Sequence, residues 1–301
     1  MNYLFEVSWE VCNKVGGIHT VLRSKMGEAC KEFGENYFLF GPALQNNQDF
    51  KETQEPVFDT IRAAAEKKGL RCRFGRWQVP GEPKAILVEF QGRYDVNKVL
   101  YGYWRDFGVD SYAGRWDYME PVLFSTACGE VVEVITETVL RPEDKSVAHF
   151  HEWMVGGGLL YLKKNCPEVG LVFTTHATML GRCISGLGRD ITQELDKINP
   201  MEEAKTYGVS AKHHMEVACA READCFTTVS RVTGDEAAAL LGKAPDLVVE
   251  NGFNMKDIPD FSVNRSEVRK SRDFLLHFCR NFLQKDLPES TRIWITSGRY
   301  E

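Results

Sequence analysis

Short apolar runs alternate with amphipathic stretches along most of the chain. Residues 3–7 predict a buried strand that passes through a turn holding Gly16 and Gly17 into residues 18–33, a stretch with helical periodicity. Residues 37–41 predict a second strand and 84–90 a third. The stretch from Gln45 to Arg76 between them is polar, with a helix over 56–68. A long helix fits 121–139, where Val122, Ser125, Thr126, Gly129 and Val132 share one face. Strands at 146–150, 171–175, 225–229 and 246–250 then alternate with helices at 153–164, 211–223 and 233–241. Thr233 followed by Glu236 suits a capping box. This alternation predicts an α/β fold, a parallel sheet with helices on both faces. Ligands of such sheets bind beyond the carboxyl ends of the strands, and the chemically interesting segments of this chain fall at those ends.

The C-terminal stretch breaks the pattern. Residues 264–283 predict a charged amphipathic helix, and 292–296 a fresh strand followed by Ser297-Gly298. A strand and glycine turn with no helix to follow is an unfinished βα unit. The expected division is therefore a first domain over 1–285 and the start of another over 286–301.

Composition narrows the function classes. The 301 residues are 43% hydrophobic and 27% charged, enough to bury a core without disulfides or metal. A net charge of −6 argues against a general grip on nucleic-acid phosphates. No run reaches the ~18 apolar residues that span a membrane, and the first residues do not read as a secretory signal. The nine cysteines form no C-x-x-C pair and sit in apolar surroundings, as reduced thiols do. Together these features predict a cytoplasmic protein with neither nucleic-acid nor membrane partners, and leave an oligomer open.

Several constellations carry chemistry. Lys14 with Gly16 and Gly17 opens a helix, where free amides and a partial positive charge suit a pyrophosphate or sugar oxygens; a tight turn that merely needs glycine is the plainer reading. His149 and His151 close a strand on one side of it, as structural histidines, as polar contacts to a sugar or phosphate, or as part of a metal site for which no third ligand is evident. Gly156-Gly157-Gly158 weakens the helix that follows and predicts close approach by a neighbouring element. Arg182 lies just past another strand, as a ligand contact or a surface ion pair. Ser230 suits a helix cap, and Arg231 beside it a cleft contact. Asn251-Gly252 is a turn signal, and Arg299 stands at the end of the last strand, where a guanidinium can grip a phosphate. The run Lys212-His213-His214 reads as a solvated helix face.

These segments recur together in one family. Lys14-Val-Gly-Gly17, Gly108-Val-Asp-Ser-Tyr112, Trp116-Asp-Tyr118, Glu120-Pro-Val-Leu-Phe124, Phe150-His-Glu-Trp153, Phe173-Thr-Thr-His-Ala-Thr178 with Leu180-Gly-Arg182, Phe226-Thr-Thr-Val-Ser230 and Asn251-Gly252 resemble, in this order, glycogen synthase of the animal and fungal type, glycosyltransferase family 3. The resemblance implies a Rossmann-like N-terminal domain of a GT-B glycosyltransferase. It implies retaining transfer of glucose from a nucleotide-diphosphate glucose, UDP-glucose before ADP-glucose, to the non-reducing end of an α-1,4-glucan such as glycogen, with no cofactor and no metal. His151 would contact the transferred glucose and Arg182 line the cleft. Lys14, Gly16 and Gly17 would face the donor pyrophosphate or the acceptor, Asn251 would lie near the donor sugar, and Arg299 would neutralise the diphosphate. His19 departs from the family's usual tyrosine. The family's second domain lies beyond Glu301, so these residues alone are expected to be nearly inactive. A non-catalytic carbohydrate-binding module using the same cleft is the alternative.

Overall fold

A computed structural model describes residues 1–47, 49–252, 261–288 and 290–292. The strands are β1 (Asn2–Val7), β2 (Tyr37–Pro42), β3 (Phe50–Glu52), β4 (Arg71–Trp77), β5 (Lys84–Glu89), β6 (Lys145–His151), β7 (Gly170–Thr175), β8 (Cys225–Thr228) and β9 (Leu247–Val248). The helices are α1 (Gly17–Phe33), α2 (Pro56–Lys67), α3 (Val96–Phe107), α4 (Trp116–Thr138), α5 (Gly156–Asn165), α6 (Met179–Gly186), α7 (Ile191–Glu194), α8 (Pro200–Thr206), α9 (Ser210–Glu222), α10 (Arg231–Leu241) and α11 (Phe261–Phe282). Contacts divide the chain into two compact units, Met1–Gly252 and Phe253–Glu301. The sheet belongs to the first, and α11 groups with the second. The expected strand at 292–296, apart from its first residue, and Arg299 lie outside the described residues. No described helix is long and apolar enough to cross a membrane.

The sheet has nine strands in the order β3-β4-β5-β2-β1-β6-β7-β8-β9. From β5 to β9 every neighbouring pair is parallel, whereas β3, β4 and β5 pair antiparallel. The α/β architecture thus stands, with an antiparallel edge added to the expected parallel sheet. That edge was hidden in the polar stretch. In β4, Arg71, Arg73 and Arg76 pair with Glu89, Glu52 and Glu55, while Phe74 and Trp77 enter the cores on opposite faces of the sheet. Paired arginines and glutamates outnumber these buried aromatics along the edge, so its composition reads as polar.

Both faces of the central strands are buried. Phe38 and Phe40 of β2 join Phe5, Phe124, Phe150 and Phe173 in a core over one face. Tyr37 and Leu39 join Leu22 and Met26 of α1 over the other. The glycines of α5 explain themselves here. A Cβ on Gly157 would lie 2.7 Å from the Val122 carbonyl oxygen of α4, and one on Gly158 would collide with the Ser125 carbonyl. Gly158→Ala is therefore expected to destabilise by about 1–3 kcal/mol in chemical denaturation, because a backbone oxygen cannot step aside. Gly27→Ala, in α1 with open space around it, is expected to stabilise by a few tenths to about 1 kcal/mol. Equal stability of Gly158→Ala and the parent would contradict this packing.

The reading of residues 212–214 as a solvated face is corrected. His213 is fully buried, and Lys212 pairs with Asp117 and sits 5.2 Å over the Trp153 ring. The helix α9 packs its flank against α5, so a run that looks polar faces a neighbour.

Candidate active site

The strands β1, β6 and β7 lie side by side and end at one edge of the sheet, with Glu6 opposite His149 and His151 opposite Thr174. Alternation along β6 puts His149 and His151 on the same face, with ring centroids 4.1 Å apart. Parallel register puts Glu6 beside them. Its fully buried carboxylate takes His151 Nε2 at 2.7 Å, the Tyr37 hydroxyl and the Lys25 ammonium. Burial pushes Glu6 upward, but Lys25, His151 and His149 together outweigh it and hold the group well below the usual carboxylate range. The other nitrogen of His151, Nδ1, lies 3.0 Å from His176 Nε2. Burial, reinforced by neighbouring cations, lowers all three imidazoles, His176 to about 3. At neutral pH the histidines are uncharged, and the Glu6–Lys25 pair carries the local charge.

Glu6, His149 and His151 each place a ligand atom within 4.8 Å of the others, the third ligand that the sequence did not reveal. A metal there would have to displace contacts that these groups already make. Two atoms bound at ~2.0 Å in a tetrahedron stand roughly 3.3 Å apart. His151 Nε2 and Glu6 Oε1 are 2.7 Å apart, a hydrogen bond, and the Lys25 ammonium already neutralises that oxygen.

A second layer fastens the turn after β7. Glu152 follows His151 with φ 70° and ψ 163°, a region that is almost exclusively glycine's and costs about 1–3 kcal/mol. Its buried carboxylate accepts the amides of His176 at 2.9 Å and Ala177 at 3.2 Å, and Arg182 Nη2 lies 3.7 Å away. Burial raises Glu152 to about 7, against the pull of Arg182 and the two amides. Glu216 of α9 accepts the Met179 amide at 2.9 Å; burial first, and Glu152 next, push it far above its ordinary range. Glu236 of α10 accepts the amide and hydroxyl of Thr178. That contact corrects the expected capping box. Ser230 caps α10 by accepting the Thr233 amide at 3.1 Å, and Glu236 serves the β7–α6 turn instead. Three carboxylates from three elements thus set the turn from which α6 presents Arg182.

At the start of α1, Glu10 accepts the amides of Gly16 at 2.6 Å and His19 at 3.0 Å. A carboxylate of the chain itself thus takes part of the amide set, which the sequence left open between a ligand and a plain turn. Lys14 and Gly17 remain exposed. Glu10 is near enough to Glu152 to push it upward, so the glycine turn, Glu152, Arg182, His176 and His151 form a continuous set at the ends of β1, β6 and β7. His151 is only 3% exposed with both nitrogens engaged internally. Asn251 is exposed just beyond β9.

A family profile described as glycogen synthase matches residues 6–301. The chain belongs to the glycogen synthase family. The liver glycogen [starch] synthases of Rattus norvegicus and Homo sapiens are 34% and 35% identical to it over 308 and 309 residues, covering 99% of this chain and 43% of their own length. The glycogen [starch] synthase of Caenorhabditis elegans is 33% identical over 308 residues and is covered to 46%. The chain therefore spans less than half the length of these glycogen synthase relatives. Among solved structures, the catalytic domain of starch synthase IV from Arabidopsis thaliana, bound to ADP and acarbose, aligns over 84% of this chain and 52% of its own. Its TM-score is 0.47 at 17% identity.

Sequence reasoning singled out the glycines, His151 and Arg182 but gave no role to Glu6, Glu10, Lys25, Glu152 or His176. One signal was available for Glu6: a carboxylate between Phe5 and Val7, in a strand buried on both faces, needs a partner.

Proposed function

We propose that the protein is a glucosyltransferase of the glycogen synthase type. It moves glucose, with retention, from a nucleotide-diphosphate glucose, UDP-glucose before ADP-glucose, to the non-reducing end of an α-1,4-glucan. The observation that carries this reading is the family match along nearly the whole chain. The cluster of neutral imidazoles and Arg182 at the ends of β1, β6 and β7 supports it. In a GT-B arrangement this edge forms one wall of a cleft, and the transfer requires the opposite wall, so the 301 residues alone would be close to inactive.

The physical logic is electrostatic. The leaving nucleoside diphosphate gains negative charge as the glycosidic bond breaks, and fixed cations aimed at it lower the barrier. Lys14 and the Gly17 amide face the diphosphate at the start of α1. Arg182 stands nearer the sugar, and Asn251 lies towards the donor glucose. Neutral imidazoles suit hydroxyl groups better than anions. We place the reaction in the cytoplasm, with no metal or cofactor.

The test is glucose transfer to glycogen by the full-length gene product from UDP-glucose and ADP-glucose. Transfer from UDP-glucose is expected to be faster, and EDTA is expected to leave it unchanged. Lys14→Ala is expected to lower kcat/KM by roughly 10-fold or more, the worth of a charge-assisted hydrogen bond. Glycogen binding with no transfer from either donor would replace the enzyme reading by a carbohydrate-binding module.

A further inference from the structure

Four consecutive backbone amides, from His176 to Met179, carry the chain from β7 into α6, and three carboxylates hold all four. Glu152 accepts those of His176 at 2.9 Å and Ala177 at 3.2 Å, Glu236 that of Thr178 at 3.2 Å, and Glu216 that of Met179 at 2.9 Å. We infer that Glu216 is a positioning residue that works as a neutral carboxylic acid, anchoring the first residue of α6 while leaving Glu152 as the negative charge that faces Arg182. This deepens the glucosyltransferase reading and rests on it for what Arg182 does, but not for the proton on Glu216.

The proton follows from the surroundings. Glu216 is fully buried on α9, which packs against α5, α6 and α10. Its Oε2 takes the Met179 amide, whereas Oε1 is sealed from solvent and has no hydrogen-bond partner among the described residues. An ionised group with one bare buried oxygen would forgo hydration on that side and repel Glu152 and Glu236. A carboxylic acid still accepts the amide and carries no net charge. Arg182 of α6 and the Met179 amide favour ionisation, but burial, Glu152 and Glu236 outweigh them. Cys219, one turn further along α9, adds no cation; burial and Glu216 push its thiol well up. The consequence is electrostatic. Arg182 Nη2 stands 3.7 Å from Glu152, a single carboxylate that orients the guanidinium. A second negative charge beside Glu152 would cancel much of the field that Arg182 offers to a developing anion.

The proton is read directly by infrared spectroscopy of the full-length gene product. Above about pH 8, ordinary carboxyls and Glu152, which burial raises to about 7, are ionised. There the difference between the parent and Glu216→Gln is expected to show the carbonyl stretch of a carboxylic acid; carboxylate bands alone overturn the inference. If that variant does not fold, the parent decides: an acid band that persists at this pH supports the inference, and its absence overturns it. The positioning role is read from glucose transfer with UDP-glucose as donor. Glu216→Ala is expected to lower kcat roughly 10- to 100-fold, because the start of α6 loses its anchor, and Glu216→Gln to recover most of the loss. The parent is also expected to lose activity at alkaline pH before the glutamine variant does, since an amide cannot ionise. Unchanged kcat in Glu216→Ala, or alkaline limbs that coincide, overturns the role. An acid band in a protein that transfers no glucose overturns the glucosyltransferase reading and leaves the neutral Glu216 standing.

Discussion

Lys25→Met is expected to destabilise the protein by about 3 kcal/mol at neutral pH, and by much less near pH 4. Lys25 is the strongest of the influences that keep the fully buried Glu6 ionised. Breaking a buried ion pair by deleting one partner costs about 3–5 kcal/mol, and the low end applies because the lysine side chain is 35% exposed. The sign with pH separates this from a packing effect. In the parent, the folded pKa of Glu6 lies below its unfolded value. Its contribution to stability is present above the unfolded pKa and is lost as pH falls through the folded one. Without Lys25, burial dominates and the folded pKa rises above the unfolded value. Stability then is greatest below the unfolded pKa and falls as pH rises through the folded one. The two curves therefore converge in acid and separate towards neutrality. Urea denaturation of both proteins from pH 4 to pH 7.5 checks this; a pH-independent gap would show that Lys25 acts by packing alone.

Arg182→Ala is expected to lower kcat for glucose transfer by roughly 100- to 1000-fold, the scale for removing one preorganised charge from a transition state. KM for glycogen should change little. The turn that carries Arg182 is fixed by Glu152, Glu216 and Glu236, so under the proposed function the guanidinium would meet the developing charge without having to be reorganised. Arg182→Lys should recover only part of the loss, because an ammonium lacks the planar fork. Initial rates at saturating UDP-glucose measure this. A loss confined to KM would make Arg182 a ground-state binding group.

The alternation of strand and helix was legible because a parallel sheet buries both faces and writes continuous apolar runs such as Tyr37 to Phe40. The triple glycine of α5 was legible for the same kind of reason, since three glycines in a helix are costly unless another backbone lies against them. The strands β3 and β4 were not, because half of their residues are lysine, arginine or glutamate, with arginines paired to glutamates along the sheet edge. The site shows the same split. Gly16, Gly17, His151 and Arg182 stand out at strand ends as residue types. The engagement of both His151 nitrogens, and the capture of the Gly16 amide by Glu10, depend on which strands are neighbours. Glu6 and His151 are 145 residues apart and meet only because β1 and β6 pair.

The most direct test is a crystal structure of the full-length gene product with UDP-glucose. The account predicts the glucose at the carboxyl ends of β1, β6 and β7, within about 3.5 Å of His176 and Arg182, and the diphosphate against Lys14 and Gly17. A nucleotide sugar seated elsewhere, for example in the groove of Tyr101, Trp104 and Tyr112, with the strand ends untouched, would contradict it.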